Sequence, residues 1–251
     1  MGSGLYAHVV DVLGQEIIDG ELPVGSLIFA DQLCERLGVS RSVVREGVRT
    51  LSSMGLVDAR PQVGTRVLPP ASWDLLNPHV VKWRSQGPDY VSQMRQLLEL
   101  RLGIEQVAAR LSCERMSDEE AELTLAAALA MRTALDRNDG RAFFEADADF
   151  HRLLLEGTSN AAFAQLADTI GAALHVRAGD GRPGMHNFSA ESVTRHVEVA
   201  RALVDRDSAK AQAAVVLLVE ATLQEFQHVV PELTSPSDQP EQLSPASPSP
   251  I

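Results

Sequence analysis

Apolar residues recur at helical spacing along most of this chain, and Gly, Pro, Asn and Asp mark the places where the spacing breaks. Leu5 to Ile18 carries Val9, Val12 or Leu13, and Ile17 on one side, with Glu16 turned outward, and it stops at Asp19-Gly20. Leu22-Pro23-Val24-Gly25 follows as a tight turn. A short helical run, Leu33 to Leu37, meets Gly38, which permits a sharp change of direction. Ser40 is placed to cap a second helix over about Arg41 to Met54. On that helix Val44, Val48 and Leu51 fall at i, i+4 and i+7 as one buried stripe, while Ser42, Arg45 and Arg49 fall on an outward face. After Leu56, Val57-Asp58-Ala59 and Thr65-Arg66-Val67-Leu68 read as two β-like segments around the turn Pro61-Gln62-Val63-Gly64. Helix, helix, helix, hairpin predicts a winged helix-turn-helix over residues 5–69.

Pro69-Pro70 stiffens the exit from the hairpin, because neither residue can continue a ladder. Residues 70–88 read as a linker in which Trp73 and Trp83 anchor the chain onto a domain face. From residue 89 to 230 the pattern is helical almost throughout, with helices near 90–115, 118–136, 140–157, 160–177, 190–206 and 208–229. Ser117-Asp118-Glu119-Glu120 and Asp207-Ser208 mark starts; Asn138-Asp139-Gly140 and Gly157-Thr158-Ser159-Asn160 mark stops. The one long interruption is Ala178 to Asn187, and the Pro/Ser/Gln-rich tail, residues 231–251, reads as disordered. The fold class is mainly α, an N-terminal winged helix-turn-helix followed by an all-α bundle.

Composition narrows this further. The apolar 45% of 251 residues is mostly Ala, Leu and Val, which suits packed helices. A net charge of −12 argues against indiscriminate nucleic-acid binding, yet Arg36 to Arg66 holds six arginines against Glu46 and Asp58. One basic patch on an acidic body suits contact with DNA through one face. Arg41 sits in the first helical turn, where the macrodipole disfavours a cation, and wants an anion that the chain itself does not supply. DNA phosphate is the most economical one. Cys34 and Cys113 form no metal or redox motif, no signal peptide is evident, and the longest apolar run, Ala213 to Val219, is too short for a membrane span. A reduced, cytoplasmic protein is the expectation.

These residues resemble a known family. Gly25 after its Leu-Pro turn, then LGVSRSVVREGVRTL, GLV and VGTRV, is similar to the GntR family of bacterial regulators. The helical part is similar to the FadR-type (FCD) branch, whose all-α domain binds a small effector, and WDLLNPHVVKW with ELRLGIEQVAARL resembles regulators of galactonate and gluconate catabolism. The resemblance implies a homodimer bound to a double-stranded operator, with Ser40, Arg41, Ser42, Arg45 and Arg49 contacting DNA and the wing residues Gly64 and Thr65 against the minor groove or backbone. Where the family often has Ser-Glu-Arg opening the preceding helix, this chain has Phe29-Ala30-Asp31, so a basic contact at position 31 is not carried over.

In the helical part, Asp147 and His151 stand at i, i+4, so a carboxylate and an imidazole share one face and can share a divalent cation. The resemblance adds His196 and implies a fourth ligand at the position of Leu218. A three-residue set of two His and one carboxylate can still hold Zn²⁺, Ni²⁺ or Mn²⁺; the plainer alternative is a buried Asp–His pair without metal. Arg101 and Glu105 are also i, i+4 and read as an intrahelical ion pair, whereas the resemblance turns Arg101 toward an effector carboxylate, with Arg177 as a second cation. His175 and His186 receive no role. No nucleophile motif, phosphate loop or dinucleotide fingerprint is present, which argues against catalysis. The expectation is a repressor released by a sugar acid such as galactonate or gluconate, the rivals being a regulator of another hydroxy acid such as lactate, or one that responds to the metal itself.

Overall fold

The computed structural model describes residues 2–60, 64–177 and 189–229. The turn Pro61 to Val63, the interruption Ala178 to Asn187 with His186, the tail 231–251 and the side chain of Arg177 lie outside the described residues.

The N-terminal unit runs α1 (Gly2–Ile18), β1 (Leu27–Ile28), α2 (Ala30–Leu37), α3 (Arg41–Ser53), β2 (Val57–Arg60) and β3 (Gly64–Val67). The sheet is antiparallel in the order β1-β3-β2, with Val57 opposite Val67, Arg60 opposite Gly64 and Leu27 opposite Arg66. Strand β1 has two residues, too few to show a period of two, and nothing in the sequence pattern announces it. Gly38 stands at φ +64, the left-handed geometry that ends α2, and its N–H bonds back to the Cys34 carbonyl. Ser40 then caps α3, its Oγ accepting from the Val43 N–H at 3.4 Å. Val44, Val48 and Leu51 are buried as their spacing predicts, together with Val9, Leu13 and Ile17 of α1.

The C-terminal unit is a bundle of α5 (Tyr90–Arg115), α6 (Asp118–Asp136), α7 (Gly140–Glu156), α8 (Ala161–Arg177), α9 (Ala190–Val204) and α10 (Ser208–Val229). Helix α5 packs along α10, α6 along α7 and α9, and α7 along α8. Ser117 and Glu120 form a reciprocal capping box at the start of α6, which satisfies two backbone donors at once. Among the described residues no helix is long and apolar enough to cross a membrane.

Between the two units lies α4 (Pro78–Gln86), inside the stretch read as linker. Its two sides go to different cores. Val80 and Trp83 join the winged unit, while Val81 packs with Leu97 and Ala173 of the bundle. Trp83 is buried and donates its indole N–H to Asp11 Oδ1 of α1 at 3.1 Å. Trp73 is also in the winged-unit core and donates to the Leu68 carbonyl. Both tryptophans therefore anchor this segment. A Cβ at Gly14 would stand 2.5 Å from the Trp83 ring, so the close crossing of α1 and α4 depends on glycine. Gly14→Val is expected to destabilise by about 3 kcal/mol, the upper end of the usual overpacking range. A lower melting temperature with red-shifted tryptophan emission is the readout; an unchanged melt would refute this packing.

Candidate functional site

Two places hold the chemistry. The first is the outward face of α3, where Ser42, Arg45 and Arg49 are exposed, with Arg41 at the helix start. The six arginines of this region are mostly partnered within the chain. Arg36 grips Glu16 with both Nη atoms at 2.8 Å, Arg49 lies 3.6 Å from Glu46, Arg60 is 2.7 Å from Asp58, and Arg66 donates to the Gly25 carbonyl. Arg41 corrects the sequence reading. Its anion is supplied by the chain itself, since Asp31 Oδ1 of α2 lies 2.8 Å from Arg41 Nη2 across the Gly38 turn. Arg45 has no hydrogen-bond or ion-pair partner among the described residues. Exposed pairs of this kind contribute about 0–1 kcal/mol, so each can be exchanged for a phosphate at small cost. Ser40 Oγ is shared between its cap and Ser42 Oγ at 2.9 Å, and Gly64 and Thr65 open β3, half-buried.

The second place is a buried polar cluster between α5, α7 and α9. Arg101, Glu105, Asp147, His151 and His196 are all at most 4% exposed. Arg101 Nε donates to Glu105 Oε1 at 2.7 Å, and its Nη2 lies 2.7 Å from His151 Nε2. Glu105 Oε2 is 3.0 Å from His151 Nδ1. Asp147 Oδ1 is 3.3 Å from His151 Nε2 and 3.0 Å from His196 Nε2. His196 Nδ1 is 2.8 Å from the Ser192 carbonyl, which only accepts, so Nδ1 carries a proton and Nε2 faces the carboxylate. Phe150 packs edge-on against both imidazoles, at 5.2 and 4.9 Å between ring centres, which holds the rings in place.

Burial works against every charge here, and the partners overcome it. Burial pushes Glu105 up, but Arg101 and His151 bring its pKa down to about 2. Burial likewise pushes Asp147 up, yet His151 and His196 beside it hold it well below the usual carboxylate range. Burial pulls His151 down, and the Glu105 and Asp147 carboxylates together more than offset this, leaving it above the ordinary histidine value. The cavity these residues share with Phe143, Phe144, Ser192, Leu218 and Thr222 is small, about 10 Å³, room for one water-sized occupant.

Residues 5–67 match the family described as "Bacterial regulatory proteins, gntR family", and residues 96–221 match the FCD domain. The chain belongs to the GntR family, in its FCD branch. As a GntR regulator it is a DNA-binding transcription factor and not an enzyme. It is 29% identical to the uncharacterized regulator YieP of Escherichia coli (strain K12) over 67% of this chain and 74% of that protein. It is 28% identical to the galactonate operon transcriptional repressor of the same strain, over 65% of this chain and 71% of that one. The repressor NanR of Klebsiella aerogenes is 28% identical over 84% of this chain and 81% of its own length. Among solved structures, the one titled "Lar controls the expression of the Listeria monocytogenes agr system and mediates virulence" superposes with a TM-score of 0.60 at 19% identity, over 90% of this chain and 97% of that one, a likeness of fold.

The donor types of Asp147, His151 and His196 suit a divalent cation, for which Arg101 Nη2, 2.7 Å from His151 Nε2, would have to turn away. One ligand atom from each of Asp147, His151 and His196 lies within 4.8 Å of the others, all buried. Asp147 Oδ1 and His196 Nε2 approach to 3.0 Å without the orientation of a hydrogen bond, as atoms converging on a shared cation would. His196 Nδ1 is oriented by the Ser192 carbonyl, the arrangement that metal-binding histidines need, and the Glu105 carboxylate lies 3.0 Å from His151 Nδ1. Leu218 lines the same cavity, so the position implied for a fourth ligand presents an apolar side chain. Glu105 is the intrahelical partner of Arg101 that the spacing suggested, and it also belongs to the buried cluster. Its spacing from Arg101 was visible, but not that it closes onto His151 from another helix.

Proposed function

We propose that this GntR regulator is a repressor of a sugar-acid catabolic operon, released from its operator by an acid of the galactonate or gluconate kind, and that it works in the cytoplasm. The observation that carries this reading is the buried set of Arg101, Asp147, His151 and His196 around a cavity at the centre of the effector bundle. Buried charge of this density is costly and persists where it has partners or a ligand to meet. A carboxylate suits the Arg101 guanidinium once Nη2 exchanges His151 for it, and hydroxyls suit Asp147 and the imidazoles. A long acyl chain does not suit so polar a lining. The similarity to the galactonate operon repressor, and to a probable D-xylose utilization operon repressor of Paenarthrobacter nicotinovorans, supports a sugar-derived ligand.

The resting cavity is too small for such an acid, so Phe143, Phe144, Leu218 or Thr222 must give way on entry. Arg101 lies on α5, and α5 and α8 pack against α4 through Leu97, Ala173 and Val81. Displacement of α5 therefore reaches α4, whose Trp83 is locked into the winged unit. In a homodimer this changes how two α3 helices are spaced for two half-sites. The effector's preference for one state sets the coupling, typically about 1–3 kcal/mol. Zn²⁺, Ni²⁺ or Mn²⁺ held by Asp147, His151 and His196 would supply a Lewis-acidic centre for effector oxygens.

The size of the cavity also favours a second reading, a regulator for which the cation is itself the signal. Thermal shifts against galactonate, gluconate and lactate, with and without added Zn²⁺, Ni²⁺ or Mn²⁺, separate the two. The sugar-acid reading expects a stabilising shift from an acid and release of bound DNA by it. A shift from metal alone, with no acid adding to it, would end that reading in favour of the other. Metal affinity has a defined pH sign. His151 must be neutral to bind, and its raised pKa lets protons compete from above about pH 6.5. Affinity should therefore fall about tenfold per pH unit on acidification through that range. Metal retained equally at pH 5 and pH 8 would exclude His151 as a ligand.

A further inference from the structure

We infer that Asp31 is a specificity-determining residue of the DNA-binding face, holding Arg41 for a base edge and away from phosphate; this rests on the reading of α3 as that face. Asp31 stands in the first turn of α2, where the macrodipole favours an acid, and Arg41 stands in the first turn of α3, where it disfavours a cation. The Gly38 turn brings the two together, Oδ1 to Nη2 at 2.8 Å, with the side chains 69% and 75% exposed. The exposed carboxylate therefore serves no core. What it touches is the arginine at the leading end of the recognition helix, the end whose residues meet base edges.

Guanidinium is a planar fork with five donors. With Nη2 engaged by Asp31, the remaining donors are biased toward one direction and can meet two acceptors such as guanine O6 and N7. The pair carries no net charge, so Arg41 adds little to the phosphate attraction that every duplex offers alike. Arg45, one turn along and unpartnered among the described residues, is the contrast. It is free to take phosphate or base, while Arg41 is biased toward the base. An exposed pair is weak and does not lock Arg41 in place; it shifts the balance between the two uses.

The test uses the full-length protein, a duplex selected from a randomised library by the wild-type protein, and a scrambled duplex of equal length. Asp31→Asn keeps the size of the side chain and removes its charge. Affinity for the scrambled duplex should rise, the ratio of selected to scrambled affinity should fall about tenfold, and the salt slope should steepen by about 0.9 per protomer. Selection repeated with Asp31→Asn should lose base preference at one position of each half-site. The increase on scrambled DNA should vanish when Arg41→Ala is also present. An unchanged affinity ratio overturns the inference, and so does an Asp31→Asn effect that persists without Arg41, since Asp31 would then act as a bare charge. Arg45→Ala separates this from the parent reading. If that variant binds the selected duplex as the wild type does, the DNA face is misplaced and both fall. If it loses binding while Asp31→Asn changes nothing, only the role of Asp31 falls.

Discussion

Arg45→Ala is expected to abolish operator binding while leaving the fold intact. Arg45 is exposed on the outward side of α3, and among the described residues it has no internal partner to lose, so its removal leaves no buried orphan. Its neighbours on the same face are partnered, Arg41 with Asp31 and Arg49 with Glu46, so they cannot substitute without first giving up a carboxylate. A bidentate arginine–guanine contact discriminates by about 1–3 kcal/mol, and the proposed dimer on two half-sites would lose it twice, which sums to roughly a hundredfold or more in affinity. Fluorescence anisotropy on the selected duplex, with a circular-dichroism melt as the fold control, measures both halves of the statement. Unchanged affinity would remove α3 from the DNA interface.

Glu105→Ala should destabilise the effector bundle by about 3–5 kcal/mol, the usual cost of leaving one member of a buried ion pair alone. Glu105 is fully buried and faces Arg101 at 2.7 Å and His151 at 3.0 Å, so its loss strands a buried guanidinium and removes the group that orients an imidazole. The double variant Arg101→Leu with Glu105→Leu should recover much of the loss, because no unpaired charge remains. Chemical denaturation of the three proteins tests this. A Glu105→Ala protein as stable as wild type would mean that Arg101 finds another partner and that the cluster is less closed than its distances imply.

The same contrast shows what could be read before folding. The stripe Val44, Val48 and Leu51, the Ser40 cap, the Gly38 turn and the start of α6 at Ser117 were all legible. Each is decided within one or two helical turns, by spacing or by a side chain reaching its own backbone. The pair Asp147 and His151 was visible for the same reason, since i, i+4 fixes a shared face whatever surrounds it. Strand β1 was not legible, because its pairing partner Arg66 lies beyond two intervening helices. Helix α4 was hidden inside a stretch that read as linker. Its short pattern serves two cores at once and so shows no single apolar stripe.

The basic patch is the plainest case. Six arginines between positions 36 and 66 suggested a field of free positive charge, yet Glu16 and Asp31 arrive from α1 and α2 to neutralise two of them. Counting charge between two positions misses carboxylates that the fold brings in from elsewhere.

By itself the sequence determined the helices outside residues 70–88, their caps, the winged arrangement and the family, because all of these depend on local periodicity and short motifs. Tertiary structure decided which charges are free, that Glu105 belongs to the buried cluster, that Leu218 stands at its wall, and that Asp31 answers Arg41. Those are contacts between distant positions, set by how helices cross, and a Coulomb or ligand interaction takes its strength from separation and burial, neither of which a linear pattern carries.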